Sequence, residues 1–558
     1  MKKNNSIKYV LTMLLLLLCL STFSQQTIML KGSVKDESGT LLPGANVHIK
    51  GIKTGTITDL NGSFLLQVKS NDTIVVSYVG YKNKEVGVGN KDLINITLNE
   101  DTEQLNEIVV VGFGTQRKLN LTGSVGVIDS KSIESRPVQN AVQALQGLIG
   151  GLNITNESGG SLGANPGINI RGVTTIGQGS NGSPLVLVDG IETNLTGVNP
   201  QDIESVSVLK DAASSSIYGS RAPFGVILIT TKNAKKGKPT ITYTDNFKYT
   251  SPISIPQMAD SYSFVLSMNA ASKNAGWGDF FNSAMVARVK QYLDGEITTT
   301  TVPESGNPNL WATGYFDGND NINYYNVLYK QNVPSQEHNI SLSGSSDKIS
   351  YYISANYLKQ SGLLNYGSDH AERYTTNAKI EATLNDYLKI KYNLRFSRNN
   401  LEQPTHMAGM FYEDLARQIW PTKPLYDPNG ILFDDHILGL LNGGKENQQI
   451  NTFTQNFQLI LEPIKDWKIY GDINYKINSQ FHHWDYKTYS QTGVDGKSVG
   501  NIWYYSFAAE QAYNNNYYNL SFYSDYEKKI NDAHYIKLMG GIQSEGNNYR
   551  DIYAGRNG

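Results

Sequence analysis

Several spellings in this chain carry the residue types that chemistry uses. Gly159-Gly160-Ser161-Leu162-Gly163 has the spacing of a nucleophile elbow, the sharp strand-to-helix turn that lifts a serine hydroxyl toward a base. No helical pattern follows it, so that turn is not predicted. Gly177-Gln178-Gly179-Ser180-Asn181-Gly182 fits the glycine spacing that cradles a dinucleotide pyrophosphate, yet it lacks the strand before and the helix after that the cradle needs. Asp434-Asp435-His436 and His482-His483 offer carboxylates and imidazoles to a metal, but adjacent ligands on a polar loop are common without an ion. Cys19 is the only cysteine, so no thiolate metal set and no disulfide are available. No nucleophile, base or ligand set converges. The expectation is a protein that is not an enzyme and that uses no metal and no cofactor.

The elements that hold these residues say more. The chain has 558 residues, too many for one ordinary domain, and a net charge of -2. Its basic residues are scattered apart from Lys235-Lys236-Gly237-Lys238, so no field favours nucleic acid. Charged residues make up only 18%, and tyrosine is abundant at 35. Tyrosine gathers where one end of a side chain is apolar and the other wet, as at a membrane interface. Residues 1–24 read as a cleaved signal peptide: Lys2-Lys3, an apolar core from Val10 to Leu20, then Ser21-Thr22-Phe23-Ser24. That core is shorter than the ~20 residues of a spanning helix. Leu18 ahead of Cys19 argues against a lipoprotein cleavage site.

Residues 28–98 predict a Greek-key β-sandwich. Its strands fall at Ile28–Val34, Ala45–Ile49, Thr54–Thr58, Ser63–Val68, Thr73–Tyr78, Lys84–Val88 and Leu93–Leu98, with turn signals such as Pro43-Gly44 and Asn61-Gly62 between them. Residues 101–118 form a linker in which acidic Asp101–Glu107 precedes Ile108-Val109-Val110-Val111 and Gly112-Phe113-Gly114. The β-branched run is a good strand with nothing nearby to pair with. It is either a core strand or a peptide offered to a partner's sheet edge. Residues 119–235 predict a mixed α+β unit. Val142, Leu145 and Leu148 place a short helix over Val138–Leu148, and strands are expected at Ile168–Ile170, Leu185–Val188, Ile203–Leu209 and Val226–Thr230, with a turn at Asp189-Gly190.

From residue 240 to 558 the pattern changes. Leu388, Ile390, Tyr392, Leu394 and Phe396 alternate with Lys389, Lys391, Asn393 and Arg395, and the same holds from Trp467 to Ile477, from Ile349 to Tyr357 and from Tyr518 to Phe522. These are strands of about ten residues with one apolar face, one polar or charged face and aromatic margins, the pattern of an outer-membrane barrel. Polar loops of variable length join them. The fold class is therefore mainly β: a sandwich, an α+β unit, then an antiparallel transmembrane barrel.

The middle of the chain also resembles a known family. Ile170-Arg171-Gly172, Pro184-Leu185-Val186-Leu187-Val188-Asp189-Gly190, Ile203-Glu204-Ser205-Val206-Ser207-Val208-Leu209-Lys210-Asp211, Ile217-Tyr218-Gly219-Ser220-Arg221 and Gly225-Val226-Ile227-Leu228-Ile229-Thr230-Thr231-Lys232 resemble the plug of TonB-dependent outer-membrane receptors of the SusC/RagA group. Ala222-Pro223-Phe224 departs from the commonest wording after the arginine. Asn106 to Gln116 resembles the group's TonB box, which falls on Glu107, Ile108, Val109, Val110 and Val111. Gly32-Ser33-Val34 and Leu42-Pro43-Gly44-Ala45-Asn46-Val47 resemble a carboxypeptidase-regulatory-like domain, without the His/Glu set of a zinc peptidase.

The resemblance implies energised import of a nutrient, a glycan or another oligomer, across the outer membrane of a Gram-negative bacterium. Its implied partners are TonB, a SusD-like surface lipoprotein and outer-membrane lipid. Arg171, Gly172, Asp189, Gly190, Lys210, Asp211, Tyr218, Gly219 and Arg221 are expected in structural roles, with Arg171, Lys210, Asp211 and Arg221 making ion pairs to the barrel wall. A signal-transducing receptor of the same architecture is the alternative. The family barrel has about 22 strands, whereas the ~320 residues after Lys238 supply about nine or ten. The expectation is therefore a truncated barrel: a fragment, a truncated gene or one half of a split product, which could be non-functional.

Overall fold

A computed structural model describes residues 27–558 except 53, 79–80, 90, 100–107, 112–113, 118–123, 135, 137, 139, 156–160, 164, 173–174, 176–181, 235–236, 254, 406–418, 502–505 and 531–533. The signal peptide, Cys19, Glu107 and most of the Gly177–Gly182 run lie outside the described residues. The chain divides into two compact units, residues 1–122 and 123–558.

In the first unit, strands β1 (Thr27–Asp36), β2 (Asn46–Ile49), β3 (Gly55–Ile57), β4 (Ser63–Lys69), β5 (Thr73–Ser77), β6 (Lys84–Gly87) and β7 (Leu93–Leu98) form two sheets, ordered β4-β1-β7 and β3-β2-β5-β6. All seven predicted strands are present, within two or three residues at their ends. Alternation buries one face of each sheet: in β4, Phe64, Leu66 and Val68 point in and their neighbours out. Leu30, Val34, Val47, Ile74, Val76 and Ile96 complete the core. Gly32 is required there, because a Cβ would meet the Phe64 ring at 2.5 Å. β1 and β7 pair in parallel, which short-range turn signals could not foretell. Further along the same unit, β8 (Ile108–Val111) pairs antiparallel with β9 (Gly114–Arg117).

The second unit begins with β10 (Val125–Asp129), β11 (Leu152–Thr155), β12 (Gly167–Ile170), β13 (Leu185–Val188), β14 (Ile191–Glu192), β15 (Ile203–Leu209) and β16 (Val226–Thr231). Five of these make a mixed sheet ordered β10-β15-β16-β13-β14, and β11 and β12 pair with each other. The predicted helix is present but shorter, Ala141–Leu145, capped by the Asn140 side chain. It packs Ala141, Val142, Ala144 and Leu145 against Ile128, Val206, Val208, Ile227 and Ile229 of the sheet.

A nine-stranded antiparallel sheet follows. It runs β17 (Gly237–Thr250), β20 (Val333–Ser345), β21 (Ile349–Ser361), β22 (His370–Asn385), β23 (Leu388–Pro404), β24 (Lys445–Ile464), β25 (Trp467–Tyr486), β28 (Phe507–Ile530) and β29 (His534–Asn557) in that order. Small hairpins β18 (Pro303–Glu304) with β19 (Asn307–Trp311), and β26 (Ser490–Thr492) with β27 (Ser498–Asn501), lie in the connections. At one end the connections are the tight turns 346–348, 386–387 and 465–466; at the other they are long, at 251–332, 362–369, 405–444 and 487–506. Short turns at one rim and long loops at the other are the asymmetry of outer-membrane barrels. The long loops are built, not merely polar. They contain helices Ser261–Asn274, Ser283–Leu293 and Asp435–Asn442, and Tyr324, Leu328, Leu364, Ile419 and Ile437 bury one another across three of them.

The outer face carries aromatic pairs. Trp467 stands opposite Tyr526 near the short turns, and Tyr475 opposite Tyr518 stands eight residues further on, with Ile469, Ile473, Leu520 and Phe522 between. Eight residues rise about 27 Å along a strand, or about 20 Å of height at a barrel tilt of about 40°, on the scale of a membrane apolar band. The strands themselves run 13 to 24 residues, longer than the alternation predicts. The reason lies in β28: beyond Tyr518 its outward positions are Asn516, Asn514, Ala512 and Glu510, mostly polar, so the strand continues where the apolar signal fades.

Among the described residues, β17 and β29 are the outer strands of this sheet and do not pair with each other. Unpaired edge groups cost several kcal/mol each in hydrocarbon. A polypeptide of residues 25–558 alone should therefore fail to give a heat-modifiable barrel, and limited proteolysis should leave a resistant piece spanning 27–99. Stable insertion of that polypeptide, read as a heat-dependent gel shift, would overturn the expectation.

Candidate functional site: the plug unit against the inner wall

The run Ile108–Val111 is simpler than the sequence predicts. Ile108–Val111 does find a neighbour: it folds back on Gly114–Arg117, with Val110 opposite Thr115. The expectation of a strand with nothing nearby to pair with is corrected. A connection of two residues suffices to reverse an extended chain. Because the sheet has only two strands, each keeps one edge without a backbone partner.

The residues that matter most lie where the five-stranded sheet meets the inner wall. Asp189 and Gly190 both have positive φ, 49° and 83°, and close the tight turn between β13 and β14. This turn thrusts the Asp189 carboxylate at the wall. Within its own sheet the carboxylate accepts from the Thr231 amide at 3.0 Å and the Thr231 hydroxyl at 2.7 Å. From the wall it accepts from Lys379 Nζ at 3.0 Å and Asn393 Nδ2 at 3.0 Å, residues that face each other across β22 and β23. Lys379 also donates to the Thr231 carbonyl, and Arg395 donates to the Val188 carbonyl at 3.0 Å. Burial pushes the Asp189 carboxyl up, but Lys379 and Arg395 pull harder. With the Thr231 hydrogen bonds, they hold it well below the usual carboxylate range.

Two further contacts extend this latch. The Tyr352 hydroxyl donates to Asp202 at 2.8 Å, and Asn199 donates to Asn339 at 3.0 Å. Burial pushes the Asp202 carboxyl up, against the hydrogen bond from Tyr352.

Of the four charges expected to pair with the wall, the structure brings Arg221 there. Its guanidinium bridges Glu545 on β29 at 2.8 Å and Glu192 at 2.7 Å. Lys210 instead donates to the Gly150 carbonyl at 2.9 Å, and Asp211 accepts from the Ser124 amide and caps the helix at Ala212–Ser215 through the Ser214 amide. Both therefore bind within the plug-like unit, and for them the wall expectation is corrected. Each follows the end of β15, where the Gly150 carbonyl and the Ser124 amide of the same unit lie within hydrogen-bond reach. Arg171, at φ 59°, precedes Gly172 at φ 92°, and its amide bonds the Gly151 carbonyl. Tyr218 and Gly219 lie in the 3-10 turn Ser216–Arg221, kinked at Gly219 where φ is 56°.

Above the latch, the lumen-facing positions of β25, β28 and β29 form a grid. His482, Gln511 and Tyr553 share one row, Gln480, Tyr513 and Asp551 the next, then Asn478, Asn515 and Tyr549, then Lys476, Tyr517 and Asn547. Trp484 lies tilted beside Tyr553 at 5.7 Å, and Tyr513 stacks near Tyr549 at 6.4 Å. At the foot of the grid, Lys476 donates to the Glu192 carbonyl at 2.8 Å. Sequence reading missed this grid because its rows exist only once the register is known.

The other spellings resolve into structure. Ser161–Gly163 lies between β11 and β12, with Gly163 pressed on Leu401, and no helix follows. His482 and His483 face opposite sides of β25, bonding Glu446 and Glu510, so they cannot share an ion. Asp434, Asp435 and His436 lie within ligand distance of one another, but the buried ammonium of Lys423 pairs with both aspartates and supplies the countercharge.

Comparisons with known proteins agree with this architecture. Residues 30–110 match the CarboxypepD_reg-like domain, and residues 117–226 match the TonB-dependent Receptor Plug Domain. The chain is 31% identical over 542 residues to TonB-dependent receptor P26 of Formosa agariphila, covering 94% of this chain and 49% of that protein. It is 32% identical over 442 residues to TonB-dependent receptor SusC of Bacteroides thetaiotaomicron, covering 76% of this chain and 39% of that one. Among solved structures, the RagAB peptide importer in its open-open state superposes with a TM-score of 0.64 at 22% identity, over 81% of this chain and 50% of that one. The chain thus spans about half the length, or less, of the curated relatives it matches. These relatives are receptors and transporters, not enzymes.

Proposed function

We propose a function from the premise that this chain belongs to the SusC/RagA group of TonB-dependent receptors: it supplies the plug and nine wall strands of an outer-membrane importer of oligomeric nutrients. One observation carries the reading. A sheet with an apolar, aromatic-bounded outer face holds a folded plug against its polar inner face through the Asp189 latch. A wall of that kind encloses a lumen, and a plug bonded to it is a closed gate.

The gate needs an external source of work. In this proposal Glu107 to Val111 offers a strand edge to TonB, which pulls on it from the inner membrane. A SusD-like lipoprotein would close the outer mouth over the built loops.

The grid above the latch favours a glycan as cargo. Aromatic faces suit the C–H faces of sugar rings, and the carboxamides of Gln480, Gln511 and Asn478 with the Asp551 carboxylate suit hydroxyl groups. In the full-length receptor, Trp484→Ala and Tyr553→Ala should each weaken glycan binding by about tenfold, the effect of losing ~1.4 kcal/mol of ring contact. Calorimetry on the purified receptor measures it. Unaltered affinity in both would remove the grid from the cargo path. Outer-membrane fractionation tests the reading as a whole: the full-length protein found soluble in the periplasm would end it.

A further inference from the structure

The place where the coupling segment enters the plug is pinned. Ser124 directly precedes β10, and both of its backbone groups are taken. Its amide donates to Asp211 Oδ2 at 2.6 Å, and its carbonyl accepts from the Lys210 amide at 3.0 Å. The other oxygen of the same carboxylate accepts from the Ser214 amide at 2.9 Å and the Ser214 hydroxyl at 2.7 Å. Asp211 therefore joins the residue that leads into β10 to the cap of the short helix that follows β15.

The topology gives this joint a mechanical meaning. Among the described residues β10 is an edge strand bonded to β15 alone, with Val125 opposite Leu209 and Asp129 opposite Ser205. A pull arriving from residues before 124 loads the Ser124–Val125 end first, so the ladder opens from that end one pair at a time. The plug-to-wall hydrogen bonds described above leave the plug from residues 188 to 231, in the part of the sheet that β10 does not reach. Pulling thus acts on a strand that the wall bonds do not hold, and the charged hydrogen bond at Asp211 stands ahead of the ladder.

We propose that Asp211 is a positioning residue, a pin that holds β10 closed and sets the load at which a pull from the coupling segment begins to open the plug. The proposal rests on the reading of residues 107–111 as the coupling segment.

The test uses the full-length receptor in outer-membrane vesicles. Asp211→Asn keeps the side-chain volume and one acceptor oxygen for Ser214, but sets an amide donor against the Ser124 N–H. Ser124→Pro removes that donor and leaves the carboxylate and its cap intact. Hydrogen exchange read on residues 125–129 should accelerate by about tenfold or more in both variants, the effect of losing a hydrogen bond to a charged group. Protection at 226–231 should stay unchanged. Single-molecule pulling from the N-terminus should show the first rupture within the plug at lower force, with later plug ruptures unmoved. Unchanged exchange at 125–129 and an unchanged first plug rupture would overturn the pin. Equal loss of protection at 226–231 would also overturn it, by showing that Asp211 supports the whole plug. Neither measurement involves TonB, so the coupling reading is judged separately by uptake in a Val110→Pro receptor.

Discussion

Replacing Val110 by proline in the full-length receptor stops uptake and leaves surface binding of cargo intact. Val110 sits at the middle of Ile108–Val111, opposite Thr115. Proline removes its backbone donor and bars its residue from the centre of a sheet. Whichever edge TonB takes, the strand presented to it is broken. Loss of two or so strand hydrogen bonds at ~1 kcal/mol each, plus the added strain, weakens pairing by about a hundredfold. Uptake should fall by that order or more. Cargo affinity should change by less than about twofold, since the grid at Gln511 and Tyr553 belongs to the other compact unit. Val110→Thr keeps the backbone and the β-branch, and should transport normally. Transport measured with labelled glycan, beside binding on the same cells, separates the two effects. Wild-type uptake in the proline receptor would show that residues 107–111 are not the coupling segment.

The elements that sequence alone makes legible are those in which local pattern and final environment coincide. Leu185–Val188 and Ile203–Leu209 were predicted to the residue, because each is a short apolar run bounded by turn signals and buried in a sheet. The Asp189-Gly190 turn was legible for the same reason: the two residue types tolerate the positive φ that a tight hairpin demands. The helices of the outer loops were missed, although Asp260, Asn282 and Asp434 cap them through the amides of Ser263, Met285 and Ile437. Cap spellings were present, and only over Ser261–Asn274 is the amphipathic pattern that follows weak. Asp434, set aside in the sequence as a metal ligand on a polar loop, is a buried helix cap paired with Lys423.

The latch could not be read at all. Lys379, Asn393 and Arg395 alternate with apolar residues as any lumen-facing side chain would, and their partners lie 190 to 207 residues away. Only the register of nine strands brings them to one carboxylate. The same holds for Arg221, whose pairing with Glu545 spans 324 residues. Sequence identified the charged residues of the plug motif but could not sort those that bind the wall from those, such as Lys210 and Asp211, that bind the plug itself.

Removing the Asp189 carboxylate should loosen the plug more than any other single substitution at the wall. Asp189→Ala leaves the buried Lys379 and Arg395 without their anion, and breaking a buried pair from one side costs about 3–5 kcal/mol. Alanine also fits poorly at φ 49°, whereas Asp189→Asn tolerates it and keeps hydrogen-bonding atoms toward Thr231 and Asn393. The asparagine receptor should therefore fall between wild type and alanine. Hydrogen exchange at 185–188 and 226–231 reads the loosening directly, and entry of a large antibiotic that the closed gate excludes reads it in cells. The sign of the pH effect is fixed by the same carboxyl. Folded, it gives up its proton more readily than an unfolded aspartate, whose pKa is about 3.9. Its contribution is complete above that value and is lost as pH falls through the depressed folded value. Wild-type protection at these strands should thus decline below about pH 4, and the asparagine receptor should lose that part of the decline. Equal protection in wild type and Asp189→Ala would mean that the wall holds the plug elsewhere, through Asp202 and Arg221.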